Sequence, residues 1–401
     1  MSWEQKPLNE VADFCLGKML DQNKNRGEAL PYLANVNVRW GEFDFGNLRE
    51  MRFEPGEIDR YGLKYGDIVM CEGGEPGRCA LWKDQIPGMM IQKALHRIRP
   101  HTCLDNSFLF YSFLKKRKND EFSGLFTGST IKHLPKEKLA KVKVDVPPIA
   151  IQRRIVSILS AYDDLIENNR RRSALLEKAA RMLYREWFVH FRFPGHEHIK
   201  IIDGLPEGWE RRTLADVAED ISYGYTESAS HDVEGPKFLR ITDIVDGPIQ
   251  WANVPRCPIS EDKLQRFLLA SDEIVVARTG ATTGWARRIG RLSEPAVFAS
   301  YLVRFRFGLR YRPEIAATFM QSEAYKSFVK GNLGGAAQPN ASAKVLANAP
   351  AIVASDAIQT HFAESVTPMF EQVDVLMELN QKLAQARDLL LPRLMNGEIA
   401  V

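Results

Sequence analysis

The chain carries few residues spaced for bond-making chemistry. No G-x-x-x-x-G-K-[ST] run occurs, so no loop would cradle a nucleoside triphosphate and hold its magnesium. The glycine-rich Gly73-Gly74-Glu75-Pro76-Gly77-Arg78 lacks the Lys-Ser/Thr pair, and Glu75 would repel a phosphate; it reads as a loop that ends a strand. No G-x-G-x-x-G follows a strand pattern, so a dinucleotide fingerprint is also missing. His196-Glu197-His198 offers two imidazoles two residues apart without a third ligand, which suits a solvated linker better than a metal site. Cys15, Cys71, Cys79, Cys103 and Cys257 are odd in number, with no C-x-x-C pair, and read as reduced thiols. No Ser or Cys stands in a nucleophile-elbow context. The expectation is a binding or scaffolding chain with no catalytic residue, metal or cofactor of its own.

Residue types that read base edges are present in four loops. They are the glycine loops at 72–78 and 278–284, Gly128-Ser129-Thr130-Ile131-Lys132-His133, and Gly334-Gly335-Ala336-Ala337-Gln338-Pro339-Asn340. Arg, Lys, Gln, Asn, Ser and Thr can donate to or accept from bases in the major groove, although ordinary surface loops hold the same residues. Arg78, Lys132, Arg240, Arg278 and Gln338 are the candidate DNA contacts.

The elements that would position these loops occur twice. Sliding the chain on itself by 206 residues aligns Trp3 with Trp209, Leu8 with Leu214, Tyr32-Leu33 with Phe238-Leu239, and Asp67-Ile68-Val69-Met70 with Glu273-Ile274-Val275-Val276. One inserted residue makes the offset 207, and Gly128 then meets Gly335, Leu139 meets Leu346, and Ile151-Gln152 meets Ile358-Gln359. A period this long means a module used twice, not a solenoid. Most of each copy shows short apolar runs broken by Gly, Pro, Asn and Asp, the pattern of strands and turns.

Each copy ends in a helical pattern. One helix starts after Pro147-Pro148, and the other runs to Leu391-Pro392 or slightly beyond. A 4-3 stagger fits the first through Ile155, Leu159, Tyr162, Ile166, Asn169, Ser173, Leu176, Ala180, Leu183 and Trp187. It fits the second through Phe362, Val366, Met369, Val373, Leu376, Asn380, Leu383, Arg387, Leu390 and Leu394. Such sustained 3.5-residue periodicity predicts a coiled-coil seam. Antiparallel pairing of Ile155 with Leu394 and Trp187 with Phe362 sets Leu176 opposite Val373, Leu183 opposite Val366, and the seam's two asparagines, Asn169 and Asn380, opposite each other. A polar residue in an apolar seam costs stability but specifies register when it finds a partner. From Ile155 to Trp187 the helix would span about 50 Å at ~1.5 Å per residue. The competing readings are ordinary packing helices of separate domains, and pairing between chains. Pairing between chains is disfavoured because helix 1 on helix 1 would bring Arg170-Arg171-Arg172 together.

Length and composition set the frame. At 401 residues the chain exceeds what one core usually fills, and 45% hydrophobic with 26% charged residues is ordinary globular composition. No secretory pattern opens it and no apolar run of membrane-spanning length occurs, so a cytoplasmic chain without a membrane partner is expected. A net charge of +3 permits DNA binding without requiring it. The charge is uneven: residues 151–200 hold 10 basic and 6 acidic groups, whereas 356–401 hold 3 and 7. Helices of opposite sign attract each other.

The segments 145–191 (DVPPIAIQRRIVSILSAYDDLIENNRRRSALLEKAARMLYREWFVHF), 205–210 (LPEGWE) and 379–399 (LNQKLAQARDLLLPRLMNGEI) resemble the central and distal conserved regions of specificity subunits of type I restriction-modification systems. The duplication is a feature of that family too. The resemblance implies an α+β fold with two globular target recognition domains separated by two long helices in an antiparallel coiled coil. The implied boundaries are 1–147 for the first target recognition domain, 148–191 for the central conserved helix, 192–204 for a linker, 205–354 for the second domain and 355–396 for the distal conserved helix. It further implies that each domain reads one half of an asymmetric bipartite site in double-stranded DNA, and that the chain docks two methyltransferase subunits, to which nuclease-translocase subunits add. S-adenosylmethionine, ATP and magnesium would then belong to those partners. One departure is Ala354-Ser355 where the first copy has Pro147-Pro148. The rival function is a protein-binding scaffold with a coiled-coil spacer, whose affinity would lack the salt dependence of phosphate contacts.

Overall fold

A computed structural model describes residues 3–21, 25–129, 131–245, 247–333 and 339–401. The chain divides into two compact units, Met1–Leu165 with Leu383–Val401, and Ile166–Lys382. Strands and helices are mixed in both, and each unit contains the strand-bearing part of one copy of the repeat.

In the first unit the strand Ile68–Cys71 is apolar and fully buried at every position, as a central strand requires. It lies antiparallel between Leu95–Pro100 and Cys79–Leu81, and Ala12–Leu16 completes a four-stranded sheet beyond Leu95–Pro100. A second sheet sets Glu28–Leu33 antiparallel to Arg49–Phe53 and parallel to Met90–Ile91. Gln5–Pro7 pairs with Lys143–Asp145, which ties the start of the copy to its end.

The second unit repeats this plan. Ile274–Ala277 lies between Leu302–Arg306 and Ala286–Arg288, with Asp220–Tyr223 at the far edge. Lys237–Leu239 runs parallel to Ala296–Phe298, and Glu210–Thr213 pairs with Pro350–Val353. Two differences stand out. Among the described residues no strand matches Arg49–Phe53, and the single helix Asn106–Lys118 is replaced by Pro313–Met320 and Glu323–Gly331. The break falls at Ser322, whose hydroxyl accepts from the Tyr325 N–H and caps the new helix.

The central helix runs Ile149–Tyr184 and the distal helix Asp356–Met395. In the first unit Ile155 and Leu159 share a core with Leu391, Leu394 and Met395. In the second, Ile166, Asn169, Ser173 and Ala180 are buried on the central helix, and Phe362, Val366, Val373 and Leu376 on the distal one. Leu183 is half-buried against the core that holds Val366, and Leu176 is half-buried as well. Asn169 Nδ2 donates to Asn380 Oδ1 at 2.9 Å, and Asn380 Nδ2 reaches the Ile166 carbonyl at 3.3 Å. Pro368 lies inside the distal helix, where its missing N–H removes the helical hydrogen bond to the carbonyl of Glu364, an exposed residue.

The central helix does not stay α-helical to residue 191. Arg185–Val189 widens into a π-turn, which rotates both Trp187 and Phe188 into the core, where a 3.5-residue stagger would have buried only Trp187. The 192–204 stretch is likewise not a bare linker. Phe193 is fully buried and stacks on Trp209 at 4.8 Å, and Ile201–Ile202 forms a hairpin with Leu205–Pro206. Burying one aromatic ring there outweighs a polar composition that otherwise favours solvent.

Candidate nucleic-acid interface

The buried central strands end in the loops that carry the candidate side chains. Cys71 and Ala277 are the last strand residues, and the chain then turns through glycines. Gly77 and Gly284 both sit at positive φ, +85° and +90°, and pack on Phe122 and Val329, residues that are themselves 207 apart. A side chain at either glycine would be strained, so each loop is held to one course.

The five candidates have different fates. Arg78 is mostly buried; it donates to the Glu75 carboxylate at 2.7 Å and to the Asn35 carbonyl at 2.9 Å. Glu75 also accepts from the Trp40 indole at 3.0 Å. Arg78 therefore braces its loop, with its guanidinium committed to the Glu75 carboxylate and the Asn35 carbonyl. Arg240 is clamped by Asp243, which accepts from its Nε at 3.0 Å and its Nη2 at 2.9 Å. That carboxylate raises the guanidinium pKa and neutralises its field. Lys132 is exposed. Arg278 is partly exposed, with its guanidinium 4.8 Å from the centre of the Tyr223 ring and its Nη2 donating to Asn340 Oδ1 at 3.3 Å. Gln338 lies outside the described residues.

Other arginines that raise the charge count serve the sheets. Arg99 makes a two-pronged contact with Asp67 at 2.7 Å on each prong, and Arg306 meets Glu273 in the equivalent place. Arg97 and Arg304 are buried and donate to loop carbonyls at Gly62 and Leu268, which are 206 apart. Arg288 bridges Asp272 and Asp374, which anchors the second copy to the distal helix.

Sequence reasoning missed the partners of these loops. In the first copy His133 approaches the Glu72 carboxylate at 3.1 Å. Leu134 N donates to the Glu72 carbonyl at 2.7 Å, and Ala341 N donates to that of Arg278 at 2.8 Å. Glu72 and Arg278 thus hold equivalent backbone positions, as do His133 and Asn340. The available signal was the repeat itself: an acid in one copy aligns with a base in the other.

Among the described residues no group of three or more His, Cys, Asp or Glu is placed to hold a metal, and no helix is long and apolar enough to cross a membrane. All five cysteines are free thiols.

The architecture defines a class of duplicated α+β chains with two long helices. In fold it is similar to the crystal structure of a type I restriction-modification system S subunit from M. genitalium, with a TM-score of 0.55 at 17% identity over 98% of this chain and 96% of that one. Residues 1–178 match the type I restriction modification DNA specificity domain. The whole chain is 26% identical, over 93% of the relative, to the type I restriction enzyme MjaVIII specificity subunit of Methanocaldococcus jannaschii. It is 34% identical to the putative MjaX specificity subunit of the same organism over 65% of each chain. The similarity to the type I restriction modification DNA specificity domain thus falls on the first copy and the start of the central helix, and the likeness to named specificity subunits runs the length of the chain.

Proposed function

We propose that this chain is the DNA-reading subunit of a type I restriction-modification complex, and that each copy of the repeat reads one half of an asymmetric two-part site. The observation that carries the reading is one loop scaffold built twice with different side chains at its open end, Glu72 and His133 against Arg278 and Asn340. Two copies with the same side chains would read the same half-site twice. Copies that differ there read two.

The chain is non-catalytic in this reading. Adenine methylation and restriction are the work of partner subunits, two methyltransferases and the nuclease-translocases that add to them. S-adenosylmethionine, ATP and magnesium are ligands of those partners. The domain roles follow: residues 1–147 and 205–354 face DNA, and the central and distal helices set the distance between the half-sites and carry the methyltransferases.

Methylation-sensitive sequencing tests this in cells that hold the chain with its methyltransferase, compared with cells from which this chain alone is removed. Adenine methylation at one two-part motif is expected, and it should vanish with the chain. An unchanged methylome, together with DNA binding by the purified complex that does not weaken as salt rises, would favour the protein-binding scaffold instead.

A further inference from the structure

We propose that Glu72 and Arg278, each with its loop partner His133 or Asn340, are the specificity-determining residues of their half-sites, with Arg278 reading a guanine and Glu72 accepting from the exocyclic amino group of a cytosine. The inference rests on the DNA-reading function proposed above.

The backbone around the two positions is the same. The carbonyls of Glu72 and Arg278 accept from Leu134 N and Ala341 N, and the facing loops meet through bridges at Gly73 with His133 and at Thr279 with Asn340. The side chains invert in charge and in hydrogen-bonding sense. A position that keeps its scaffold while its chemistry inverts is where a duplicated reader would change what it reads.

Two of the other candidate arginines are excluded by what they already hold. Arg78 and Arg240 donate to Glu75 and Asp243, so reaching a base would strand a carboxylate. Arg278 is steadied instead by neutral groups: the Tyr223 ring, the Asn340 amide oxygen, and the Ala341 carbonyl, which accepts from Nε at 3.5 Å. Tyr223 is itself held, its hydroxyl accepting from the Ala343 N–H at 2.9 Å. A guanidinium has five N–H donors in a fixed fork. With Nε committed to Ala341 and Nη2 committed once to Asn340, three donors remain, and one N–H from each Nη forms the parallel pair that matches O6 and N7 of guanine in the major groove. Glu72 offers only acceptors. A carboxylate there is repelled by phosphates and finds its nucleic-acid partner in a base amino group, and cytosine N4 is the usual one. His133 takes up part of its acceptor capacity, since the contact at Nδ1 places that proton toward Glu72.

The test is selection from a pool of randomised duplexes by the full chain bound to its methyltransferase subunits, followed by sequencing of the bound fraction. The wild-type complex should select a two-part motif with a guanine in one half and a cytosine in the other. Arg278→Ala should flatten the preference at that guanine, lowering discrimination roughly tenfold to a hundredfold, with the other half-site unchanged. Arg278→Lys keeps the charge and the salt dependence but should also lose most of the guanine preference, because the ammonium has no fork. Glu72→Gln should alter a cytosine in the opposite half only. The inference is overturned if both arginine variants select the wild-type motif, or if Arg278→Ala weakens all sequences alike and Arg278→Lys restores binding to the full motif. It is equally overturned if the altered positions are not guanine and cytosine. If Arg278→Ala is unfolded by circular dichroism, the Arg278→Lys selection decides alone. A wild-type complex that selects no motif removes the DNA-reading function itself, a separate outcome.

Discussion

The two copies of the repeat use the same backbone plan but meet the long helices with different chemistry. At the start of each helix the solutions coincide. Gln152 accepts from the Asp105 N–H and donates to the carbonyls of Cys103 and Pro147, while Gln359 accepts from the Arg312 N–H and donates to those of Arg310 and Ala354. All three partners are 207 residues apart, so the loss of Pro147-Pro148 in the second copy leaves the lock intact. One turn further on the copies part. Ile155 is an aliphatic side chain buried in the core that also holds Leu159, Leu391 and Leu394, whereas its counterpart Phe362 is ringed by Tyr184, Trp187 and Phe188 at 6.3, 5.7 and 5.1 Å. Charge diverges too: the first copy reaches the helices through Tyr111 to Asp163 and Lys118 to Asp388, the second through Arg288 to Asp374. A duplicated fold therefore keeps the contacts made by its backbone and lets the side-chain packing drift.

Four substitutions sharpen or break that comparison. Phe362→Ala should destabilise the second unit by about 3–5 kcal/mol, and Ile155→Ala the first by about 2–4, because the ring leaves the larger cavity. Denaturant titrations with a probe in each unit would show two separately shifted transitions; equal shifts would mean that the aromatic ring adds nothing. Gln152→Ala should cost about 1–3 kcal/mol by leaving one donor and two acceptors unpaired. Gln359→Ala should cost less, since its contacts of 3.0–3.3 Å are longer than the 2.7–2.9 Å of Gln152.

Asn169→Leu should cost about 1–2 kcal/mol by leaving Asn380 Oδ1 without its donor, and adding Asn380→Leu should return part of that loss. A double-mutant cycle measures the coupling, and strictly additive costs would show that the amides do not lock the seam. The repeat equivalents of this pair are Leu376 and Ser173, whose buried hydroxyl has no partner, so the lock lies on one side of the seam's centre.

The smallest effect concerns acid. Burial alone would raise the pKa of Asp220, but hydrogen bonds from Arg304 and Ser222 hold it below the usual carboxylate value. Its stabilisation is present above the unfolded-state pKa and is lost as pH falls through the lowered folded one. The group is partly exposed, so Asp220→Asn should remove only about 0.2–1 kcal/mol of acid-dependent stability.

What could be read from residues alone was whatever depends on periodicity. The duplication, the mixed class and the seam are written in spacing, because a helix buries every third or fourth residue and a strand every second. The stagger set Asn169 opposite Asn380, and the two lie 2.9 Å apart. Spacing could not tell a free arginine from one already engaged. Arg78 and Arg278 both follow buried strands into glycine loops. Only the folded chain decides that Glu75 and Asn35 take up the first, while Tyr223 and Asn340, 55 and 62 residues away in sequence, steady the second. The π-turn at Arg185–Val189 and the burial of Phe193 belong to the same class. Each is settled by what a distant aromatic cluster has room for, and local sequence carries no record of that space.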